Sequence, residues 1–183
     1  MSSNNRNVRP LQRLLTPSLY LDTIYDLPFE WLDKHSITSV ITDLDNTLVP
    51  WRDYKVAQEL SEWFAALHKK GYKTAILTNA RPAPTITEMS ENLGTKLVVG
   101  ARKPISRFFK EALALVDAQP IETCIVGDQI FTDILGGNIM GCKTVLVERI
   151  GRKEFIGTKL VRFIERIVMG HVDFPRWPEH DRQ

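Results

Sequence analysis

Asp43 and Asp45 stand two residues apart just after the apolar run Ser39-Val40-Ile41-Thr42, and this pair defines the chemistry open to the chain. Carboxylates left buried and unpaired at such a place cost several kcal/mol each, so they call for a cleft and a cation. At a strand end their spacing lets one side chain and one backbone carbonyl meet the same hard cation, while the second side chain points at whatever the cation holds. Taken alone, the pair also fits a turn in which Asp and Asn satisfy local amides. Three later stretches favour the cation. Thr78 and Asn79 close a second apolar run, where a hydroxyl and an amide can donate to a phosphoryl oxygen. Lys103 precedes Pro104 at a predicted helix start, which sets an ammonium beside a helix N-terminus as an anion site. Gly127-Asp128 adds a third carboxylate, with Thr132 and Asp133 one helical turn later. The glycine permits close backbone approach, and the carboxylates complete an oxygen cage of the kind Mg²⁺ accepts.

Positioning these groups takes alternating strands and helices. Apolar, β-branched runs predict strands at residues 39–42, 73–78, 96–99, 123–126 and 143–147. Between them, a 3.6-residue period predicts helices over 51–70, from the Pro82 and Pro84 loop to about 93, over 105–116 and over 132–140, with Gly71, Gly94 and Gly141 as stops. Leu11 to Leu32 reads as short helical pieces over one edge, one of them starting at Pro28. Such alternation implies an α/β fold: a doubly wound, mostly parallel five-stranded sheet with helices on both faces. In such sheets ligands bind outside the carboxyl ends of the strands. Asp43 and Asp45, Thr78 and Asn79, and Asp128 all leave strands at that end.

A chain of 183 residues supports one domain, read as 11–173 between short tails at 1–10 and 174–183. Its 43% hydrophobic and 25% charged residues are ordinary for a globular protein, and a formal net charge of +2 gives no reason to expect nucleic acid as a partner. No run approaches the roughly 18 apolar residues of a membrane span. Arg6, Arg9 and Arg13 precede only short apolar patches broken by Pro17, so no secretory signal is expected and the protein is read as cytoplasmic. Cys124 and Cys142 are expected to be small core residues. Nothing in the composition bears on oligomeric state.

The order D-x-D-x-T, T-N, K-P and G-D-x-x-x-x-D resembles the four motifs of the haloacid dehalogenase-like (HAD) phosphohydrolases over Thr38 to Val147. The resemblance implies that Asp43 is the nucleophile that forms an aspartyl-phosphate and Asp45 the general acid, then base. It implies that Thr78, Asn79 and Lys103 hold the phosphoryl group, and that Asp43, the Asp45 backbone carbonyl and Asp128 bind Mg²⁺, supported by Thr47, Gly127 and Asp133. The intervals between motifs leave no room for a cap domain, so the site should be open.

The strings ITDLDNTLV, ARKP, GDQIFTDILGGN and RFIERIV are similar to the YqeG family of capless HAD phosphatases, which includes phosphatases of phosphatidylglycerophosphate. Phospholipid biosynthesis, with a lipid head group as substrate, is the implied role. Ala80 stands where that family leads us to expect a second asparagine. A soluble-metabolite or nucleotide phosphatase and a HAD-fold binding module are the rival readings. Residues 159–168 place Leu160, Phe163, Ile164, Ile167 and Val168 on one helical face opposite Lys159, Arg162 and Arg166, with Arg149, Arg152 and Lys153 before them. This pattern suits peripheral contact with an anionic membrane, but a helix packed on the sheet with a solvated charged face is the preferred reading.

Overall fold

The computed structural model describes residues 10–150 and Pro175. Most of the tails at 1–10 and 174–183 and the basic segment at 159–168 therefore lie outside the described residues. Within them the chain runs α1 (Pro10–Leu15), β1 (Leu19–Leu21), α2 (Phe29–Lys34), β2 (Ser39–Thr42), α3 (Gln58–Lys69), β3 (Lys73–Leu77), α4 (Pro84–Asn92), β4 (Lys96–Val98), α5 (Ser106–Leu115), β5 (Thr123–Gly127), α6 (Leu135–Met140) and β6 (Lys143–Val147). The strands form one all-parallel sheet in the order β1-β6-β5-β2-β3-β4.

β2 lies at the centre of function for a topological reason. The chain moves from β2 to β3 and β4 on one side, then crosses back to β5 and β6 on the other, where the earlier strand β1 forms the edge. The reversal opens a crevice at the carboxyl end of β2, and Thr42 pairs with Ile76 on one flank and Val126 on the other. All four residues of β2 are buried. Val40 packs with the cluster around Leu60, Phe64 and Ile76, while Ile41, on the opposite face of the sheet, packs with Phe109, Ala112 and its strand neighbour Ile125. Burying each such aliphatic side chain contributes roughly 1.5–3 kcal/mol, so the strand that ends at Asp43 is clamped from both faces.

The structure adds a sixth strand to the five expected. Leu19–Leu21 pairs with β6 at the sheet edge, with Leu19 and Leu21 inward. A three-residue run between Pro17 and Thr23 is too short for its alternation to be read beside the longer helical pattern around it. Asn138 holds this edge: its amide donates to the Leu14 and Thr16 carbonyls, and its oxygen accepts from Thr144. The helix expected over 51–70 begins only at Gln58, and Trp51, Arg52 and Tyr54 instead line the crevice. Both cysteines are buried free thiols, as expected. No helix among the described residues is long and apolar enough to cross a membrane.

Gly136 sets how closely α6 approaches α5. A Cβ there would lie 2.2 Å from Phe109 Cζ, and Phe109 is fully buried with nowhere to retreat. We therefore expect Gly136→Ala to destabilise the fold by about 1–3 kcal/mol through overpacking, despite the ~1 kcal/mol that alanine gains over glycine in a helix. Urea unfolding measures this, and a variant as stable as wild type would show that the two helices can part.

Candidate active site

Asp43 is the first residue past β2, and its N–H is fixed by the Val126 carbonyl of the neighbouring strand at 2.8 Å. Its carboxylate lies at the floor of a cleft of about 710 Å³ lined also by Asp45, Thr78, Asn79, Lys103 and Arg149. Lys103 enters from the link between β4 and α5, through a cis Lys103–Pro104 bond. Its ammonium donates to Asp43 Oδ1 at 2.5 Å and to Asp133 Oδ1 at 2.6 Å. Burial alone would lower the lysine pKa, but the charges of Asp133 and Asp43 outweigh it and hold the group above its ordinary value.

Asp128 leaves the end of β5 with a side chain that is 0% exposed. Arg149 Nε donates to its Oδ2 at 2.7 Å, whereas its Oδ1 is buried and has no hydrogen-bond partner. Asp133 follows in a π-helical turn, Ile130–Ile134, where the Gln129 N–H donates to its Oδ2 at 3.2 Å. Its close seat beside β5 requires glycine at 127, since a Cβ there would stand 2.3 Å from Asp133 Cγ. One carboxylate oxygen from each of Asp43, Asp128 and Asp133 lies within 4.8 Å of the others. Three converging carboxylates, one of which carries an oxygen orphaned in the interior, fit a small divalent cation.

Burial, with Asp43 nearby, raises the pKa of Asp128 against the pull of Arg149 and Lys103. Burial raises Asp133 to about 7 in the same way, opposed by Lys103 and reinforced by Asp43 and Asp128. Asp45 is also raised, first by burial and then by Asp43, while the Arg52 N–H, the Tyr54 hydroxyl and Lys103 pull it down. Its Oδ1 accepts the Arg52 N–H at 3.1 Å.

The structure brings all the expected site residues to one place. Thr47 donates weakly to Asp43 Oδ2 at 3.4 Å. Thr78 Oγ1 accepts the Ala80 N–H at 3.0 Å, which leaves its own proton for the cleft. Asn79, which lines the cleft, also braces Lys103: its Oδ1 accepts the Lys103 N–H at 3.0 Å. Sequence reasoning missed Tyr54 and Arg52 as partners of Asp45, because they fell inside an expected helix. It also grouped Arg149 with the basic residues near a possible lipid face. Arg149 instead pairs with Asp128, and its place two residues past β6 would have revealed it as another strand-end residue.

A HAD-hydrolase-like family model matches residues 100–153, which contain Lys103, Asp128, Asp133 and Arg149. Over 175 residues the chain is 31% identical to the probable phosphatase YqeG of Bacillus subtilis (strain 168), covering 92% of this chain and 99% of that protein. The chain belongs to the YqeG family of HAD-superfamily phosphatases. As a YqeG-family member it is a phosphatase acting on a phosphorylated substrate. It is 28% identical over 142 residues to a mitochondrial phosphatidylglycerophosphatase of Saccharomyces cerevisiae (strain ATCC 204508 / S288c), covering 70% of this chain and 75% of that one. The fold is shared with an uncharacterized protein from Listeria monocytogenes serotype 4b, at a TM-score of 0.52, 20% identity and coverage of 67% and 88%.

The raised carboxyls give the site a pH signature. Asp128 and Asp133 bind protons more tightly folded than unfolded, so without a cation their contribution to stability is complete below the ordinary carboxylate pKa near 4 and is lost as pH rises through about 7 for Asp133. A cation must displace those protons. Thermal stabilisation by Mg²⁺ is thus expected to be larger at about pH 8 than at about pH 6, and an equal shift in melting temperature at both would contradict the cluster as a cation site.

Proposed function

We propose that this chain is a Mg²⁺-dependent phosphomonoester hydrolase that works through an aspartyl-phosphate on Asp43, with phosphatidylglycerophosphate as its substrate. The observation that carries the reading is the buried Asp43 carboxylate held by Lys103 at the floor of an open cleft, beside Asp128 and Asp133. Asp43, Asp128 and the Asp45 backbone carbonyl would hold Mg²⁺, with Asp133 alongside. When bound, the ion neutralises phosphoryl oxygens and orients the phosphate for in-line attack.

The rest falls to the chain. Lys103 and the Thr78 hydroxyl take the equatorial oxygens, which removes the repulsion between two anions that otherwise makes a carboxylate a poor nucleophile here. An Asp43 oxygen forms a bond to phosphorus as the ester P–O bond breaks. Asp45, its pKa raised by burial, gives its proton to the departing alkoxide. It then takes a proton from the water that attacks phosphorus, which releases inorganic phosphate and regenerates the Asp43 carboxylate.

The links from β2 to α3 and from β3 to α4 span only residues 43–57 and 78–83 and carry no cap. An uncovered cleft suits a head group presented by a lipid aggregate, and similarity to the yeast phosphatidylglycerophosphatase supports that choice.

Phosphate release from phosphatidylglycerophosphate in mixed micelles tests the reading. Wild type with Mg²⁺ is expected to be active, while Asp43→Asn, or wild type in chelator, falls by about 10³-fold or more. Turnover of soluble sugar phosphates with none of the lipid would remove the lipid substrate and leave the mechanism.

A further inference from the structure

The cleft is larger than its floor requires. Asp43, Thr78 and Lys103 are nearly buried, yet about 710 Å³ opens around and beyond them. A volume in that range holds a whole small-molecule ligand, not one phosphoryl group. Two cations lining it have no part in the floor: Arg52 from the link after β2 and Arg81 from the link after β3. Both are exposed. The other cations of the cleft are committed, Lys103 to Asp43 and Asp133 and Arg149 to Asp128. Among the described residues neither Arg52 nor Arg81 pairs with a carboxylate.

Arg52 is also held in a defined pose. Its φ is +61°, in the left-handed region that non-glycine residues seldom adopt. Its N–H donates to Asp45 Oδ1, and its guanidinium lies 4.4 Å from the Trp51 ring centroid. A ring face attracts a cation without cancelling its charge. Strained residues of this kind persist where their surroundings over-determine them. The contact that holds the Arg52 backbone is made by the carboxylate that, in the reading above, protonates the leaving group, so residue 52 stands on the leaving-group side of the cleft.

We propose that Arg52 and Arg81 form a second anion subsite, which takes a phosphodiester group carried by the leaving-group portion of the substrate. The proposal rests on the phosphatase reading above and narrows its substrates to phosphomonoesters bearing a second phosphate. Guanidinium groups suit this task because their planar forks donate paired N–H bonds to phosphate oxygens. The same chemistry is offered by a lipid head group and by a soluble glycerophosphodiester that carries a terminal phosphate.

Three substrates separate the possibilities: glycerol 3-phosphate, glycerophosphoglycerophosphate as the deacylated head group, and phosphatidylglycerophosphate in mixed micelles. For wild type, kcat/KM on the deacylated head group is expected to exceed that on glycerol 3-phosphate. The Arg52→Ala/Arg81→Ala double variant should lower this ratio by about tenfold or more, mainly through KM. Added salt should lower it too, and the double Lys variant should recover part of it. Arg107→Ala, exposed on α5 and outside the cleft, should leave the ratio as in wild type. In an Asp43→Asn background with Mg²⁺, calorimetric binding of the deacylated head group should weaken by a similar factor, a readout that needs no turnover.

A wild-type ratio near one, or a loss shared equally by both soluble substrates, overturns the subsite even where the lipid is hydrolysed well. If the ratio and the binding behave as expected but the micellar lipid is turned over no faster than its deacylated head group, the subsite stands, its source is a soluble phosphodiester that carries a terminal phosphate, and the lipid reading falls.

Discussion

Lys103 bridging Asp43 and Asp133 in the interior is the interaction on which the site depends. Three separate segments meet at one ammonium: the end of β2, the link after β4 and the turn after β5. Removing the lysine would leave two carboxylates buried and close together, a far larger penalty than losing a surface pair. Its backbone is fixed in turn by Asn79 from the end of β3. The sheet order places β5 and β3 on either side of β2, so this small network needs no long connections.

The surroundings follow from that bridge. Asp133 can reach Lys103 only because residue 127 has no side chain. Asp128 then stands beside two other acidic groups, and Arg149 answers just one of its oxygens. The result is a carboxylate cluster that resists full ionisation in the absence of a cation, with pKa values pushed up by burial and mutual repulsion. A cluster optimised for stability alone would be apolar, so the arrangement places function ahead of folding free energy. The same holds for the left-handed backbone at Asn46 and Arg52, both next to Asp45 in the chain or in space.

Much of this could be read from the sequence. β-branched runs and glycine stops marked five strands and the helices between them, because long periodic segments bury a continuous face. The site residues stood out because polar groups at the ends of apolar runs need a reason to be there. What escaped were features fixed by tertiary contacts. Leu19–Leu21 becomes a strand only through its pairing with β6. Residues 51–57 have a helical apolar spacing, yet Asp45 captures the Arg52 N–H and the Tyr54 hydroxyl and holds the chain open there. Arg149 stood just past a strand end but was grouped with the basic residues that follow it, since its partner Asp128 lies 21 residues earlier in sequence.

The covalent step at Asp43 can be observed directly. Asp45→Asn protein, mixed with substrate and Mg²⁺, quenched in acid and digested, should yield a peptide containing Asp43 that is heavier by one phosphoryl group and loses it on treatment with hydroxylamine. Consumption of substrate in a single turnover with that peptide unmodified throughout would contradict the account.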